Sequence, residues 1–414
     1  MRLNLVTQIF IAFIAAIVLG AVFGNSISFV QPLGDLFLRL IKFIIAPLIL
    51  ATLVVGVASN SDTKQLGRVG IKTLAYYLVT TGIAVVIGLA IAFAIQPGKG
   101  VNIAADNIDS EVVEQEEQDV ITTLLNIIPE NPFTALTEGN ILQIIFFALF
   151  IGIAITLVGE KAQPVFRFFD GFAEIMYKIT GIVMKLAPIG IFGLLAPIVG
   201  EYGLSVLMPL IKIILAVLIA CLVHAAIVYS SAVKMFANMN PLKFFKGISP
   251  AAIVAFSTAS SAGTLPVTMK NTEENLGVSK RISSFVLPLG ATINMDGTAI
   301  YQGAAVIFIA QFYGLDLTFI EMLTVVLMTV LASIGTAGVP GAGLVMLTMV
   351  LTSIGLPLEG IALIAGVDRI LDMMRTTVNI VGDASAAVVV AGTEKELHVE
   401  NVGEEAEEQH QKRA

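Results

Sequence analysis

Near the end of the chain, polar side chains occupy an otherwise apolar segment that runs from about residue 361 to residue 390. They are Asp368, Asp372, Arg375, Asn379 and Asp383. Because they are spaced by four, three, four and four positions, a helix places them within roughly one quarter of its circumference, at about 100° per residue. An unpaired charge near the bilayer centre costs on the order of 3 kcal/mol. The stripe must therefore face protein, water or a ligand rather than lipid, and we interpret it as a binding site.

Arg375 and Asp372 could divide between them the recognition of a carboxylate and of an ammonium group. A guanidinium holds a carboxylate with a two-pronged geometry that lysine cannot match, and a neighbouring carboxylate can bind an ammonium. The alternative is an internal salt bridge at helical spacing, which needs no ligand. We favour binding, because a buried bridge alone gains little stability over apolar packing.

A second polar motif lies within the apolar segment from about residue 283 to residue 311. The run from Pro288 to Thr298 reads PLGATINMDGT, and its amide, carboxylate and hydroxyl groups are oxygen ligands of the kind that hard cations such as sodium bind. The alternative is a kinked helix whose polar groups bond to one another. For Asp296, as for Asp383, an ionisable group at mid-membrane favours function.

The composition is that of an integral membrane protein. The 414 residues are 57% hydrophobic and 13% charged, with a mean hydropathy of +0.92, whereas soluble domains are usually about 25% charged. Apolar stretches of about 20 residues indicate helices rather than a barrel. The net charge of −8 argues against nucleic acid as a partner. The single cysteine, Cys221, offers neither a disulfide framework nor a thiolate metal site.

Apolar windows predict an all-α polytopic protein with eight transmembrane helices. They are placed at about 7–24, 37–58, 71–96, 140–159, 172–198, 205–232, 283–311 and 361–391. Lysines and arginines follow the second, fourth and sixth spans, so the positive-inside rule puts both termini in the cytoplasm. An acidic loop at 98–139 then lies outside the cell, and residues 393–414 form an acidic cytoplasmic tail.

Two further apolar stretches, at about 248–280 and 318–357, are interrupted midway by glycine, proline and small hydroxyl residues. Such sequence does not remain helical throughout, and non-helical backbone at membrane depth is tolerated only where it is buried in protein or lines a cavity. We therefore predict two re-entrant helical hairpins. Paired interrupted segments also indicate inverted repeats of the transporter type.

Four motifs in the same order resemble those of the glutamate/aspartate transporter family of dicarboxylate/amino acid:cation symporters. They are SSAGTLP at 260–266, NMDGT at 294–298, GVPGAG at 338–343 and DMMRTTVN at 372–379. The resemblance covers essentially the whole chain and implies a carrier in the cell inner (plasma) membrane, not an enzyme. It also implies a homotrimer surrounded by lipid, with no cofactor other than the coupling sodium ions.

The resemblance further implies an elevator mechanism with two kinds of domain. Residues 1–70 and 140–200 would form the scaffold, and residues 71–97 and 201–392 would form the transport domain with both hairpins.

By the same resemblance, Asp372 binds the substrate amine, and Asn379 with Ser261 binds its main carboxylate. The substrate's side-chain carboxylate would be bound by Arg375, Thr298 and the backbone at Gly343. Thr376 completes the implied substrate set.

Three sodium sites are implied in the same way. The first would use Asp383, Asn379, Asn294 and the carbonyl of Gly290. The second would use the carbonyls of Thr292, Ser333, Ile334 and Thr336. The third would use Tyr77, Thr80, Thr81, Asn294 and Asp296.

Single positions refine the expected substrate and ion. Within the family, Asp372 favours amino acids over dicarboxylates, Arg375 favours acidic over neutral substrates, and Asp383 favours sodium over protons. Gln302 stands where potassium-countertransporting members have a glutamate. These positions predict sodium-coupled uptake of L-aspartate, with L-glutamate as an open second substrate.

Two alternatives stay open at this point. The first is a proton-coupled glutamate or C4-dicarboxylate symporter. The second is an ion channel, because carboxylates and exposed carbonyls also suit permeation.

One departure from the family pattern concerns an arginine. Archaeal relatives place an arginine at the position of Ala259 and animal relatives at that of Met373. This chain has neither, and Arg369, one helical turn before Met373, could reach a similar region.

Overall fold

The computed structural model describes residues 5–58, 63–99, 128–333 and 342–397. The α-helices of these ranges are Leu5–Phe23, Gln31–Ala58, Thr63–Ile95, Pro132–Glu138, Ile141–Val158, Gln163–Met184, Ala187–Tyr202, Leu207–His224, Ser230–Ala237, Pro241–Thr258, Ser261–Glu274, Lys280–Ile293, Asp296–Phe312, Phe319–Ser333, Ala342–Ser353 and Ile361–Glu394. Within the described ranges there is no β-strand, only an isolated bridge between Val278 and Leu397. Most of the acidic loop and of the acidic tail lies outside the described residues.

In the described part of the chain, five helical runs are long and apolar enough to cross a membrane. They are Thr7–Ala58, Arg68–Ile95, Gln143–Met184, Ala187–Ala237 and Leu363–Glu394. The all-α membrane class is therefore confirmed. Eight separate crossings and their direction stay predictions.

Three of these runs exceed a single crossing. A short 3₁₀ segment interrupts each of them, and a π-helical turn interrupts the run Ala187–Ala237 a second time. The 3₁₀ segments begin at Gly24, Gly159 and Gly203, whose φ angles are 56°, 70° and 68°. Glycine adopts such left-handed backbone without the steric penalty that a Cβ brings. The glycines thus explain why the chain turns at these points.

The fifth predicted span, at about 172–198, is not a single helix. The structure divides this region into Gln163–Met184 and Ala187–Tyr202, with Lys185 and Leu186 between them. Pro188 lies in the first turn of the second helix, where its missing N–H costs nothing. The apolar pattern continues across the boundary, so hydropathy alone merged the two helices.

The helices pack in two groups. The first helix group consists of Leu5–Phe23, Gln31–Ala58, Ile141–Val158, Gln163–Met184 and Ala187–Tyr202, which pack mainly on one another. Its closest contacts occur at glycines. A methyl group added at Gly193 would lie 2.5 Å from the backbone nitrogen of Gly34, and one added at Gly20 would lie 2.7 Å from the carbonyl oxygen of Ala196. Backbones approach this closely only where side chains are missing.

The second helix group consists of Thr63–Ile95 and the helices between Leu207 and Glu394. Its centre is the last helix, Ile361–Glu394, against which most other members pack. Thr63–Ile95 packs along Asp296–Phe312 in one of the two most extensive helix contacts among the described residues. Among the described residues, this group contains the motifs SSAGTLP, NMDGT and DMMRTTVN, together with Gly343.

A first pair of adjacent helices, the first hairpin, contains Pro241–Thr258 and Ser261–Glu274. Ala259 connects them with a φ of 50°, and the hydroxyl of Ser260 caps the second helix by accepting a hydrogen bond from the N–H of Gly263 at 3.0 Å. The turn lies inside the predicted break. Re-entry of the pair into a membrane stays a prediction.

A second pair, the second hairpin, contains Phe319–Ser333 and Ala342–Ser353. The glycine-rich connection at 334–341 lies outside the described residues. Ile334 and Thr336, both expected to bind sodium, therefore cannot be placed.

The segment predicted as one span at about 283–311 is a broken helix. It contains Lys280–Ile293 and Asp296–Phe312, and Asn294 with Met295 forms the non-helical connection. The backbone N–H of Gly297 bonds to a side chain of the last helix instead of continuing the helical ladder. Tertiary hydrogen bonds hold the break open, and they leave no trace in the apolar periodicity.

Candidate functional site

The polar stripe lies on the last helix and faces protein, as expected. Relative exposure is 7% for Asp368, 5% for Asp372, 2% for Arg375, 3% for Asn379 and 2% for Asp383. Such residues are rarely so buried without partners. The contacts of each member therefore define what the site can hold.

Arg375 is held by two carboxylates of its own helix. Its Nε donates to Oδ1 of Asp372 at 3.0 Å, and its Nη1 donates to Oδ1 of Asp368 at 2.8 Å. The ring of Tyr301 lies under the guanidinium, with its centroid 4.6 Å from Cζ, at a distance typical of a cation–π contact. Among the described residues, Nη2 of Arg375 has no hydrogen-bond partner. One donor of the guanidinium thus remains available for an anion.

Two of the expected substrate ligands come from the hairpins. Gly343 lies directly against Arg375, because a methyl group added there would be 2.5 Å from Cζ. Ser261 begins the second helix of the first hairpin and is 3% exposed. On the last helix itself, the hydroxyl of Thr376 donates to Asp372 over 3.4 Å.

Asn379 joins the last helix to the broken helix. Its Oδ1 accepts the N–H of Gly297 at 2.7 Å, and its Nδ2 donates to the hydroxyl of Thr298 at 3.3 Å. Nδ2 also approaches the sulfur of Met295 to 3.3 Å. The residue therefore occupies the junction between the predicted substrate set and the predicted sodium sets.

The four residues expected to form the first sodium site lie together beside the break. Nδ2 of Asn294 donates to Oδ1 of Asp383 at 2.9 Å and to the backbone carbonyl of Asn379 at 3.1 Å. Gly290 lies so close to Asp383 that any side chain there would collide with its carboxylate. Within the described chain, Oδ1 of Asn294 has no hydrogen-bond partner. A buried acceptor without a donor, next to a carboxylate, suits a cation.

Asp296 is the centre of a second carboxylate cluster. Its Oδ1 accepts from the hydroxyls of Thr81 at 2.7 Å and Thr80 at 3.2 Å, so three residues predicted for the third sodium site lie together. Its Oδ2 accepts from the hydroxyl of Tyr229 at 2.8 Å and lies 3.3 Å from Nε2 of His224. Sequence reasoning missed these last two partners.

A local widening of the helix explains why His224 and Tyr229 were missed. Their spacing of five residues places them on different sides of an α-helix, about 140° apart. The structure has a π-helical turn at Ala225–Tyr229, and the two rings meet with centroids 4.8 Å apart. Such turns are rare and frequently occur at functional sites. Nothing in the sequence signals this one.

Other residues expected to bind sodium have hydrogen bonds to backbone carbonyls instead of to the buried carboxylates. The hydroxyl of Tyr77 donates to the carbonyl of Val286 at 2.9 Å and not to Asp296. The hydroxyls of Thr292 and Ser333 each bond to a carbonyl of their own helix. The second sodium set was predicted from backbone carbonyls, and two of its members, Ile334 and Thr336, lie outside the described residues, so this set stays a prediction.

Arg369 reaches the tip of the first hairpin. Its Nη2 lies 3.5 Å from the carbonyl oxygen of Ser257 and 3.4 Å from that of Thr258. These carbonyls end a helix, where acceptors lack intrahelical partners. The arginine therefore contacts the residues that immediately precede Ala259, although it lies on the last helix.

The buried charges of the site do not balance. Asp296, Asp368, Asp372 and Asp383 carry four formal negative charges against one positive charge on Arg375. Uncompensated charge is costly away from water. The arrangement can hold cations near Asp383 and Asp296 and an anionic group near Nη2 of Arg375.

Comparisons with known proteins show which sequences this chain resembles. Residues 5–393 match the family described as the sodium:dicarboxylate symporter family. The chain is 42% identical to the proton/sodium-glutamate symport protein of Geobacillus stearothermophilus, over 96% of each chain. It is 38% identical to the proton/glutamate-aspartate symporter of Escherichia coli, over 94% of this chain and 93% of the relative. It is also 38% identical to a C4-dicarboxylate transport protein of Cupriavidus pinatubonensis, over 95% and 92%.

Proposed function

The chain belongs to the sodium:dicarboxylate symporter family, and from this premise we propose that it couples inward sodium movement to uptake of L-aspartate, with L-glutamate as a second substrate. It is a membrane transport protein and not an enzyme. The names of its relatives support a cation-coupled carrier of glutamate or dicarboxylates. Sodium as the ion and aspartate as the substrate are our proposal.

One observation carries the proposal: the site has an unpaired donor and an unpaired acceptor on opposite sides of one junction. Nη2 of Arg375 lacks an acceptor and Oδ1 of Asn294 lacks a donor among the described residues, and Asn379 lies between them. The donor suits the carboxylate of an acidic substrate. The acceptor, beside Asp383, suits sodium.

Asn379 would also couple the two ligands. Its side chain holds Gly297 and Thr298, while its backbone carbonyl accepts from Asn294. A cation bound beside Asp383 would fix the break against the last helix and thereby place Asn379 for the substrate. Binding free energies of two ligands that share such a residue are reciprocal.

The packing supports an elevator in which the second helix group moves as a body along the first. Helices contact members of their own group far more extensively than members of the other. The first group would be the scaffold of a homotrimer in the cell inner membrane, with both termini cytoplasmic. Both hairpins would be re-entrant gates on either side of the site.

Proton coupling is the second candidate, because the E. coli relative is named as a proton symporter and the Geobacillus relative as a proton/sodium symporter. Asp383 and Asp296 could each carry a proton instead of binding sodium. The choice of ion must therefore be measured directly.

Uptake of radiolabelled L-aspartate into proteoliposomes tests the proposal. Four conditions combine an inward sodium gradient, an inward proton gradient, both or neither, with the membrane potential held constant by potassium and valinomycin. Unlabelled glutamate and succinate serve as competitors. Protein-free liposomes give the background.

Sodium-driven uptake that glutamate blocks and succinate does not is the expected result. Uptake driven by protons alone would show that the coupling ion is the proton and not sodium. Competition by succinate equal to that by glutamate would show that the carrier accepts dicarboxylates without an amino group. Currents that persist without substrate and exceed carrier turnover would indicate a channel.

A further inference from the structure

Asp368 is the one carboxylate of the stripe to which the proposed function gives no task. It lies two helical turns before Arg375, and its Oδ1 is 2.8 Å from Nη1 of that residue. Its side chain is 9% exposed. A carboxylate so far from water must be paired. Its pairing with Arg375 therefore constrains what Arg375 can do.

The guanidinium of Arg375 has two edges that can each hold a carboxylate with two hydrogen bonds. One edge consists of Nε and Nη2, and the other of Nη1 and Nη2. In the structure Nε donates to Asp372 and Nη1 donates to Asp368, while Nη2 has no partner in the described part of the chain. Nε has a single N–H, whereas Nη1 has two, so a two-pronged grip through the Nε–Nη2 edge requires Asp372 to leave and allows Asp368 to stay.

Release of Asp372 from the guanidinium and release of Asp368 from it would have different consequences. Asp372 is the proposed ligand of the substrate amine, so its carboxylate would exchange the guanidinium for the incoming ammonium and remain paired. Asp368 has no such incoming partner, so its release from Nη1 would leave it as an unpaired buried carboxylate. Removing one partner of a buried ion pair is strongly destabilising. The balance favours release of Asp372.

The surroundings of the guanidinium support the same choice. Tyr301 covers one face, with its centroid 4.6 Å from Cζ. Gly343 lies within 2.7 Å of both Nη1 and Nη2 when measured from the position that a Cβ would take. These contacts hinder rotation of the guanidinium. Asp368 fixes it at Nη1, and the Nε–Nη2 edge is left as the one that can be exposed.

We propose that Asp368 is a positioning residue, which holds Nη1 of Arg375 in both the empty and the loaded site. The Nε–Nη2 edge then binds the substrate carboxylate, and Asp372 moves from Nε to the substrate ammonium. This inference rests on the proposed function, because it takes Arg375 and Asp372 as substrate ligands. It adds a residue that touches no substrate and yet determines which edge the substrate meets.

Ligand-induced thermal stabilisation of the purified protein in sodium buffer is the first test. Asp368→Asn keeps the shape of the side chain and removes its charge, and Asp316→Asn makes the same change at an exposed position. We expect Asp368→Asn to raise the half-saturating concentration of L-aspartate about tenfold, and Asp316→Asn to leave it unchanged. A rise below about twofold for Asp368→Asn, which corresponds to roughly 0.4 kcal/mol, overturns the proposal.

The second test needs no ligand. Arg375→Cys leaves Asp368 buried without its partner, so adding Asp368→Asn should raise the melting temperature above that of Arg375→Cys alone. A residue that only packs against its neighbours would lower it further. Failure of this rescue overturns the pairing on which the proposal depends.

The two tests separate this inference from the proposed function. If succinate stabilises the unmutated protein and aspartate does not, the proposed substrate is wrong. The half-saturation comparison is then made with succinate, whose carboxylate needs the same edge. An unchanged value for Asp368→Asn would overturn the positioning role, and a value raised about tenfold would support it.

Discussion

Among the described residues of the first helix group, the buried polar side chains are Thr52 and Thr180. Each donates to a carbonyl one turn earlier in its own helix, Leu48 and Met176 respectively. The second helix group buries a guanidinium that is paired with charged carboxylates, and it buries two further carboxylates, Asp296 and Asp383, whose hydrogen bonds come from other helices. An uncharged hydroxyl that already bonds to a backbone carbonyl of its own helix offers no charge with which to bind an ion or an acidic substrate. The first helix group is therefore suited to a structural role, and the second is suited to binding a substrate and ions.

Glycine serves opposite purposes in the two groups. In the first group Gly193 lets two backbones meet, since the nearest atom to an added methyl group is the nitrogen of Gly34. In the second group Gly343 admits a functional side chain, since the nearest atom is Cζ of Arg375. The same absence of a Cβ thus contributes to stability in one place and to recognition in the other.

The largest expected effect on uptake comes from changing a buried polar side chain of the second helix group, and a matched change in the first helix group should have little effect. Asp296→Asn puts an amide nitrogen among donors such as Thr81 and Tyr229, and an unsatisfied buried donor costs about 1–3 kcal/mol. We expect L-aspartate uptake in proteoliposomes to fall by roughly 100-fold.

Thr180→Val is the matched change in the first group. It removes one local hydrogen bond, so uptake should stay within about twofold of the unmutated protein. If Asp296→Asn transports as well as Thr180→Val does, the charge of Asp296 is not needed, and the contrast between the groups loses its functional meaning.

The next effect concerns the buried guanidinium. Arg375→Cys removes the donor proposed for the substrate carboxylate, and charge-assisted hydrogen bonds contribute about 1.5–3 kcal/mol. We expect KM for L-aspartate to rise roughly 50-fold, measured as initial uptake rates over a range of substrate concentrations. Binding of neutral amino acids should improve at the same time.

Arg281→Cys provides the comparison. Its guanidinium pairs with Glu396 at 2.6 Å but is 63% exposed, and exposed ion pairs contribute little. KM should stay within about twofold. Intact uptake of acidic substrates by Arg375→Cys would show that another group binds their carboxylate.

The sequence predicted the stripe because charge within an apolar helix is a local signal. Asp368 to Asp383 recur at helical spacing, and burial of that face follows from the cost of exposing charge to lipid. The family resemblance, carried by short motifs, is likewise confirmed. Both inferences depend only on residues that are close in the chain.

What the sequence could not predict depends on distant contacts. The break at Asn294 and Met295 is held by bonds to the last helix, and the contribution of His224 to the Asp296 cluster needs a π-helical turn. Apolar periodicity continues through both places. It also continues past Leu186, which is why two helices were predicted as one span.

A pair of glycine substitutions sharpens the contrast, because the two groups should respond in different measurements. Gly343→Ala brings a methyl group against Arg375, and we expect KM for L-aspartate to rise about tenfold with little change in melting temperature. Gly193→Ala brings one against backbone, which should cost about 1–3 kcal/mol of stability with KM unchanged.

Gly171→Ala is the control, because an added methyl group there meets no atom within 4 Å. Purified variants are compared by thermal unfolding in detergent and by uptake kinetics after reconstitution. Should Gly343→Ala lower stability and leave KM unchanged, Gly343 would have the same packing role as Gly193, and the contrast would not extend to glycine.

The smallest expected effect is at Arg369, a charged side chain whose contacts are with backbone carbonyls. Its guanidinium touches carbonyls at the end of a first-hairpin helix, over 3.4 and 3.5 Å, and the side chain is partly exposed. Long, partly solvated bonds contribute little, so Arg369→Gln should change KM by less than about threefold. The maximal rate should change more than KM, because the contact lies on the hairpin tip and not at Arg375. A KM shift as large as that of Gly343→Ala would instead make Arg369 part of the substrate site.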